Sequence, residues 1–118
     1  VPSREWWLRV QDILSAINSI HHYTRDLTFD EFQADTRTLQ AVLYNFIIIG
    51  EAVRSIPVEI QARYSKIPWR EIGDVRNIAA HEYFQVRLII LWDTIQDDLP
   101  TLAIQLQELL DRELSNES

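Results

Sequence analysis

The sequence predicts an all-α fold, a bundle of about four to six helices in one domain over residues 1–118. Three observations carry this. Apolar residues recur at spacings of three and four along the chain, the period of a helix face. Gly50 and Gly73 are its two glycines, too few for the turns of a β-sandwich. Helix-start chemistry recurs, with a capping-box pattern at Thr28-Phe29-Asp30-Glu31 and prolines at 57 and 68.

Taken in order, Trp6, Val10, Ile13, Leu14, Ile17 and Ile20 form one stripe on a first helix over Trp6 to Tyr23. A short helix starts at Thr28, and a longer one runs from about Thr36 to Ser55. Pro57 fits the first turn of a helix over 57–65. Pro68 opens another that carries the Arg76 to Tyr83 region, and a break near Gln85 precedes a last helix over 87–112. Pro100 falls inside that last helix and is expected to kink or divide it, with Asp97 and Asp98 suiting the N-terminus of a restarted segment. Phe46-Ile47-Ile48-Ile49 and Leu88-Ile89-Ile90-Leu91-Trp92 are apolar on every helical face. Such a helix is central in its bundle or covered by another chain. The expectation is a homodimer formed through one of these stretches.

Composition narrows the function. With no Cys there is no disulfide framework, thiolate zinc site or Cys nucleophile. Two isolated glycines cannot build a phosphate loop or a dinucleotide fingerprint. The formal charge of −7 repels nucleic acid as a whole, so any such contact is a local basic patch. No segment reaches the ~18 apolar residues of a membrane span, and the first residues lack a signal-peptide pattern. A soluble, cytoplasmic protein is the expectation.

The histidines do not make a metal site. His21 and His22 are adjacent and diverge by about 100° on a helix. His22 and Asp26 give two ligands at most, and no second His follows His81-Glu82 at zinc-protease spacing. Neither a metal nor another cofactor is expected.

His81 has different company. Asn77 and His81 are four apart and stack on one helix face, with Arg76 and Tyr83 on an adjacent one. Ala79 and Ala80 leave room beside them. This set suits cleavage of RNA without a metal. His81 would take the 2′-OH proton, and Arg76 and Asn77 would hold the charge that develops on phosphorus. A second acid is needed for the leaving oxygen, and His81 of a twofold partner would supply it. Chance alone places Arg-x4-His-x-Tyr in roughly one such chain in a hundred. Ordinary structural roles also fit: a buried, hydrogen-bonded His81, an ion-paired Arg76, and a packed Tyr83.

The wider pattern resembles the HepT-like toxins of the HEPN superfamily of all-helical ribonucleases. The likeness includes Gln11-Asp12-Ile13-Leu14, Ala16-Ile17, Tyr23-Thr24, Phe29 and Phe32. It continues through Asp35-x-Arg37-Thr38, Ala41-Val42, Asn45, Ile48-Ile49-Gly50-Glu51-Ala52 and Ile67-Pro68-Trp69-Arg70-Glu71-Ile72. The signature Arg76-Asn77-x3-His81-x-Tyr83-Phe84 follows, then Trp92 and Asp98-Leu99-Pro100. The resemblance implies a homodimeric, antiparallel helical bundle with a composite active site in the dimer cleft. It implies a metal-independent endoribonuclease toxin acting on RNA rather than DNA, with Arg76, Asn77 and His81 at the catalytic positions. It also implies a partner, a minimal nucleotidyltransferase antitoxin of the MntA type, that transfers AMP to Tyr83. Nucleotidylation there would add charge and bulk two residues from His81 and repel the RNA backbone. Tyr44, where relatives commonly carry a basic residue, and the small Ala79-Ala80 pair depart from the pattern. Two other readings belong to different classes: a non-catalytic helical module that binds nucleotide or partner within a nucleotidyltransferase complex, and a purely structural dimer.

Overall fold

In the computed structural model, residues 5–81 and 88–115 are described, with the backbone alone for 77–81. The predicted stripe folds as α1, Trp6–Thr24, and buries Val10, Ile13, Ala16, Ile17 and Ile20. Each fully buried aliphatic side chain of this kind contributes roughly 1.5–3 kcal/mol. Thr24 ends the helix buried, its hydroxyl donating to the Ile20 carbonyl at 2.8 Å.

Next comes α2, Phe29–Ala34, started by the expected capping box. The Thr28 hydroxyl accepts from Glu31 N at 3.1 Å, and Thr28 N donates back to Glu31 Oε1 at 2.9 Å. A single residue, Asp35, then serves as N-cap of α3, Thr36–Val53. Its carboxylate accepts from Thr38 N at 3.1 Å and from the Thr38 hydroxyl at 2.8 Å. The Thr38 backbone N–H, foremost, and its hydroxyl hold this carboxyl below its ordinary range.

Two linked short turns reverse the chain. In α4, Val58–Arg63, Gln61 donates its amide to the carbonyls of Ile56, at 3.1 Å, and Val53, at 3.5 Å. The Val53 carbonyl ends α3 and also accepts from Ile56 N at 3.1 Å, and the Ile56 carbonyl lies just beyond the helix. Trp69, buried, donates its indole N–H to the Tyr64 carbonyl at 3.1 Å and fixes the entry to α5, Trp69–His81.

The last helical run is α6, Leu88–Asp93, a π-helical turn over Thr94–Asp98, and α7, Leu99–Ser115. Pro100 was expected to kink or divide this run; the α-helical geometry gives way to the π-turn and resumes at Leu99, one residue before the proline. Proline lacks an N–H, and its ring crowds the carbonyl four residues back. Here the preceding turn is widened by one residue, so that Leu99 N–H donates to Thr94 O. Asp97 and Asp98 close that turn and stand immediately ahead of α7.

The result is an all-α fold, with no strand among the described residues. Its centre is α3, which packs α1 on one flank and α5 on the other, with α2 also against it. That position accounts for the first all-round apolar stretch: Phe46 and Ile49 are buried and Ile47 and Ile48 half-buried within a single chain. The second stretch differs. Leu91 is buried, and Trp92 packs its ring on Phe32 and Phe29, centroids 5.1 and 6.1 Å away, which ties α6 to α2. Ile89 and Ile90 remain exposed. The break expected near Gln85 lies outside the described residues. No helix among the described residues is long and apolar enough to cross a membrane.

Candidate functional site

The seam between α3 and α5 is antiparallel and close. A methyl group placed on Gly50 would overlap Arg76 Cβ and stand 3.1 Å from both Arg76 Cα and Arg76 N. Three residues further along α3, Val53 faces Gly73, where the same methyl group would meet Val53 Cγ1 at an ordinary 3.8 Å. Gly50 therefore sets how near α5 comes, and the point of nearest approach is Arg76.

The neighbouring residue sets where the Arg76 side chain goes. Glu51 Oε1 lies 2.7 Å from Arg76 Nε. Arg76 is partly covered, at 29% side-chain exposure, and Glu51 is about half exposed. An ion-paired Arg76 was one of the ordinary structural roles that the sequence allowed. The partner Glu51 is on another helix, and α3 holds Arg76 through Gly50 for the backbone and Glu51 for the guanidinium. An ion pair this exposed adds little to stability. Its effect is orientation of a fork that remains accessible.

Beyond Arg76, α5 runs on through Asn77 to His81. The register of 50 with 76 and 53 with 73 continues along antiparallel helices of equal rise. It brings the level of His81 on α5 to that of Asn45 on α3. Asn45 is buried, and its amide donates to the Ala41 carbonyl at 2.8 Å. Tyr44, beside it, is exposed. The side chains of Asn77 and His81 lie outside the described residues, as does Tyr83. Of the expected constellation, α5 carries Arg76, Asn77 and His81 in one helix, and the described geometry positions Arg76.

The other face of the seam is different. A cleft of about 490 Å³ opens between α3, α5 and the π-turn. Phe46, Ile49, Ile72 and Val75 line it, with Glu71, Asp97 and Asp98 among its polar residues. Arg76 and Glu51 are not among its lining residues. An apolar groove of about 460 Å³ between α1 and α7 includes His21. No three His, Asp or Glu side chains gather as a metal site among the described residues.

Two participants were not singled out from the sequence. An isolated glycine in an otherwise helical run signals a packing need, and that signal was present at Gly50. Glu51 carried no such signal, because its partner is distant in sequence and on another helix.

The family described as "Ribonuclease HepT-like" matches residues 13–109. A "Probable ribonuclease HepT" of Thermococcus cleftensis is 37% identical over 100 residues, 85% of this chain and 91% of the relative. A protein of Caldanaerobacter subterraneus subsp. tengcongensis named "Putative RNase TTE0752" is 35% identical, covering 88% of this chain and 93% of the relative. One of Methanocaldococcus jannaschii named "Putative RNase MJ0127" is 31% identical, covering 93% and 91%. No solved structure matches the chain at a significant level.

Proposed function

The chain belongs to the HepT-like ribonuclease family, and from that premise we propose that it is a metal-independent endoribonuclease. The observation that carries the reading is Arg76. It is gripped by Gly50 and Glu51 but left partly open, on the same helix as Asn77 and His81. A guanidinium so held is preorganised for a phosphate, which lowers the cost of meeting charge that develops during reaction.

The proposed reaction is transesterification. His81 removes the proton from a ribose 2′-OH, and the 2′-oxygen attacks the adjacent phosphorus. Arg76 and Asn77 hold the non-bridging oxygens as negative charge builds on them. The bond to the 5′-oxygen breaks, and that oxygen takes a proton from His81 of the partner subunit. The products are a 2′,3′-cyclic phosphate and a 5′-hydroxyl. A homodimer with the site in its cleft supplies the second histidine. The exposed Tyr44, Ile89 and Ile90 and the half-exposed Ile47 and Ile48 support a second copy as the cover.

The proposed setting is a cytoplasmic toxin–antitoxin pair. A nucleotidyltransferase antitoxin of the MntA type would transfer AMP from ATP to the Tyr83 phenol, with pyrophosphate leaving. The added phosphate would repel the substrate backbone.

The test is induction of wild type and His81→Ala in a bacterial host, followed by RNA analysis. Arrest and fragments ending in a cyclic phosphate, unaffected by chelator, are expected for wild type alone. Loss of general acid–base catalysis corresponds to a fall of about 10²–10⁴-fold. Equal behaviour of two soluble, dimeric proteins would favour the non-catalytic binding module.

A further inference from the structure

Basic residues are unevenly spread in this acidic chain. The segment 54–76 holds five of the eleven basic residues and three of the eighteen acidic ones. Three of those five, Arg54, Lys66 and Arg70, are exposed and form no ion pair among the described residues, and two of these, Arg54 and Arg70, stand at the facing ends of α3 and α5.

Helix geometry puts both along the Arg76 groove. Arg54 follows Glu51 by three residues, and its backbone angles of −64° and −20° continue the helix. It therefore shares the face of α3 that meets Arg76. The level of Arg54 on α5 is next to that of Gly73, since Gly73 faces Val53. Arg70 precedes Asn77 by seven residues and His81 by eleven, so the three lie on one stripe of α5. That stripe is turned away from the cleft that Glu71 and Val75 line. Because the helices are antiparallel, the C-terminus of α3 and the N-terminus of α5 lie at the same end of the groove. Arg54 and Arg70 thus extend it past Arg76 at that end, Arg70 about 16 Å along the axis from the level of His81. Asp74 stands on the same stripe, exposed, four residues after Arg70.

We propose that Arg54 and Arg70 bind phosphates of the RNA strand a few nucleotides from the scissile linkage, forming a cationic track on one side of the catalytic groove. The inference rests on the ribonuclease reading. It would give a chain of charge −7 a local cluster of cations with which to take hold of a polyanion. Glu51 and Asp74 oppose the track, so Asp74→Asn tightens binding.

The test uses the full chain and a fluorescent single-stranded 2′-O-methyl RNA 12-mer, which lacks the attacking hydroxyl. Affinity is measured by anisotropy as a function of salt. Each phosphate contact to a single strand contributes about 0.7 to the slope of log affinity on log salt. Arg54→Gln/Arg70→Gln is expected to reduce the slope by about 1.4, which corresponds to about 7-fold less loss of affinity between roughly 50 and 200 mM salt. Arg54→Lys/Arg70→Lys keeps the slope. An unchanged slope in the Gln pair, with Arg76→Gln lowering it, overturns the track and leaves the ribonuclease reading standing. Wild type that binds no RNA at low salt overturns both.

Discussion

Gly50 on α3 lies against the backbone of Arg76 on α5, so near that no side chain fits between them. The closest point of the central helix pair is therefore the residue proposed to hold the phosphate. Catalysis and packing are joined there: a change at Gly50 moves Arg76.

This separates the two glycines. Gly50→Ala is expected to force α5 outward, destabilising the fold by about 1–3 kcal/mol, as overpacking typically does. It should also lower RNA cleavage well beyond any loss of folded protein. Gly73→Ala meets one ordinary contact and replaces a poor helix former, so it should stabilise by roughly 0.5–1 kcal/mol. Thermal melts beside cleavage assays at a temperature where all three proteins are folded check both. A neutral Gly50→Ala would show that the seam adjusts freely.

Glu51→Gln removes the counter-charge of Arg76 while keeping its shape. Stability should change by less than about 1 kcal/mol, since the Glu51 carboxylate is about half exposed. RNA should bind more tightly, because one negative charge beside Arg76 is removed. Turnover should fall, because the guanidinium loses the contact that aims it. A rise in kcat would contradict an orienting role. The separate directions of KM and kcat distinguish orientation from a merely structural contact.

The cap of α3 has a signed pH dependence. Asp35 is held below its ordinary value of 3.8, first by the Thr38 backbone N–H. A depressed folded-state pKa contributes stability that is present above the unfolded value and lost as pH falls through the folded value. Asp35→Asn keeps a capping oxygen but not the charge. The Tm of wild type should exceed that of Asp35→Asn from pH 5 to 7, and the gap should shrink steadily below about pH 4. A gap independent of pH would mean that the charge contributes nothing.

A second clamp holds the C-terminal helix. Glu113 receives the Tyr64 hydroxyl at 2.8 Å and Arg63 Nη1 at 2.7 Å, which ties the end of α4 to α7. The Glu113 side chain is only 10% exposed. Burial, and then this hydrogen bond, pushes the Tyr64 phenol above its ordinary 10.0. Glu113→Ala leaves the phenol without its acceptor and should cost about 1–3 kcal/mol. Urea unfolding checks it. In wild type the stability tied to Tyr64 is fully present below pH 10 and is lost as pH rises through the phenol's raised value.

Much of the fold was legible because its signals are local. The stripe from Trp6 to Ile20, the Thr28–Glu31 box and the prolines at 57 and 68 act within one or two helical turns, and the helices begin and end near them. Pro100 was read as a kink or break because a proline removes a bond. The fold absorbed it by widening the preceding turn, a solution that depends on how Ile95 and Leu99 sit in the core. The two apolar stretches looked alike in sequence. They separated only when α3 was placed between α1 and α5, and when Trp92 found Phe29 and Phe32.

The same division holds at the site. The sequence by itself determined the all-α class, the family and the helix that carries Arg76, Asn77 and His81, since periodicity, caps and motif spacing are properties of neighbours along the chain. Only the tertiary structure decided that Gly50 admits Arg76 and that Glu51 is its neighbour. Those relationships join different helices. Which residues meet there is set by the register of two packed surfaces, a quantity that no spacing within either helix contains.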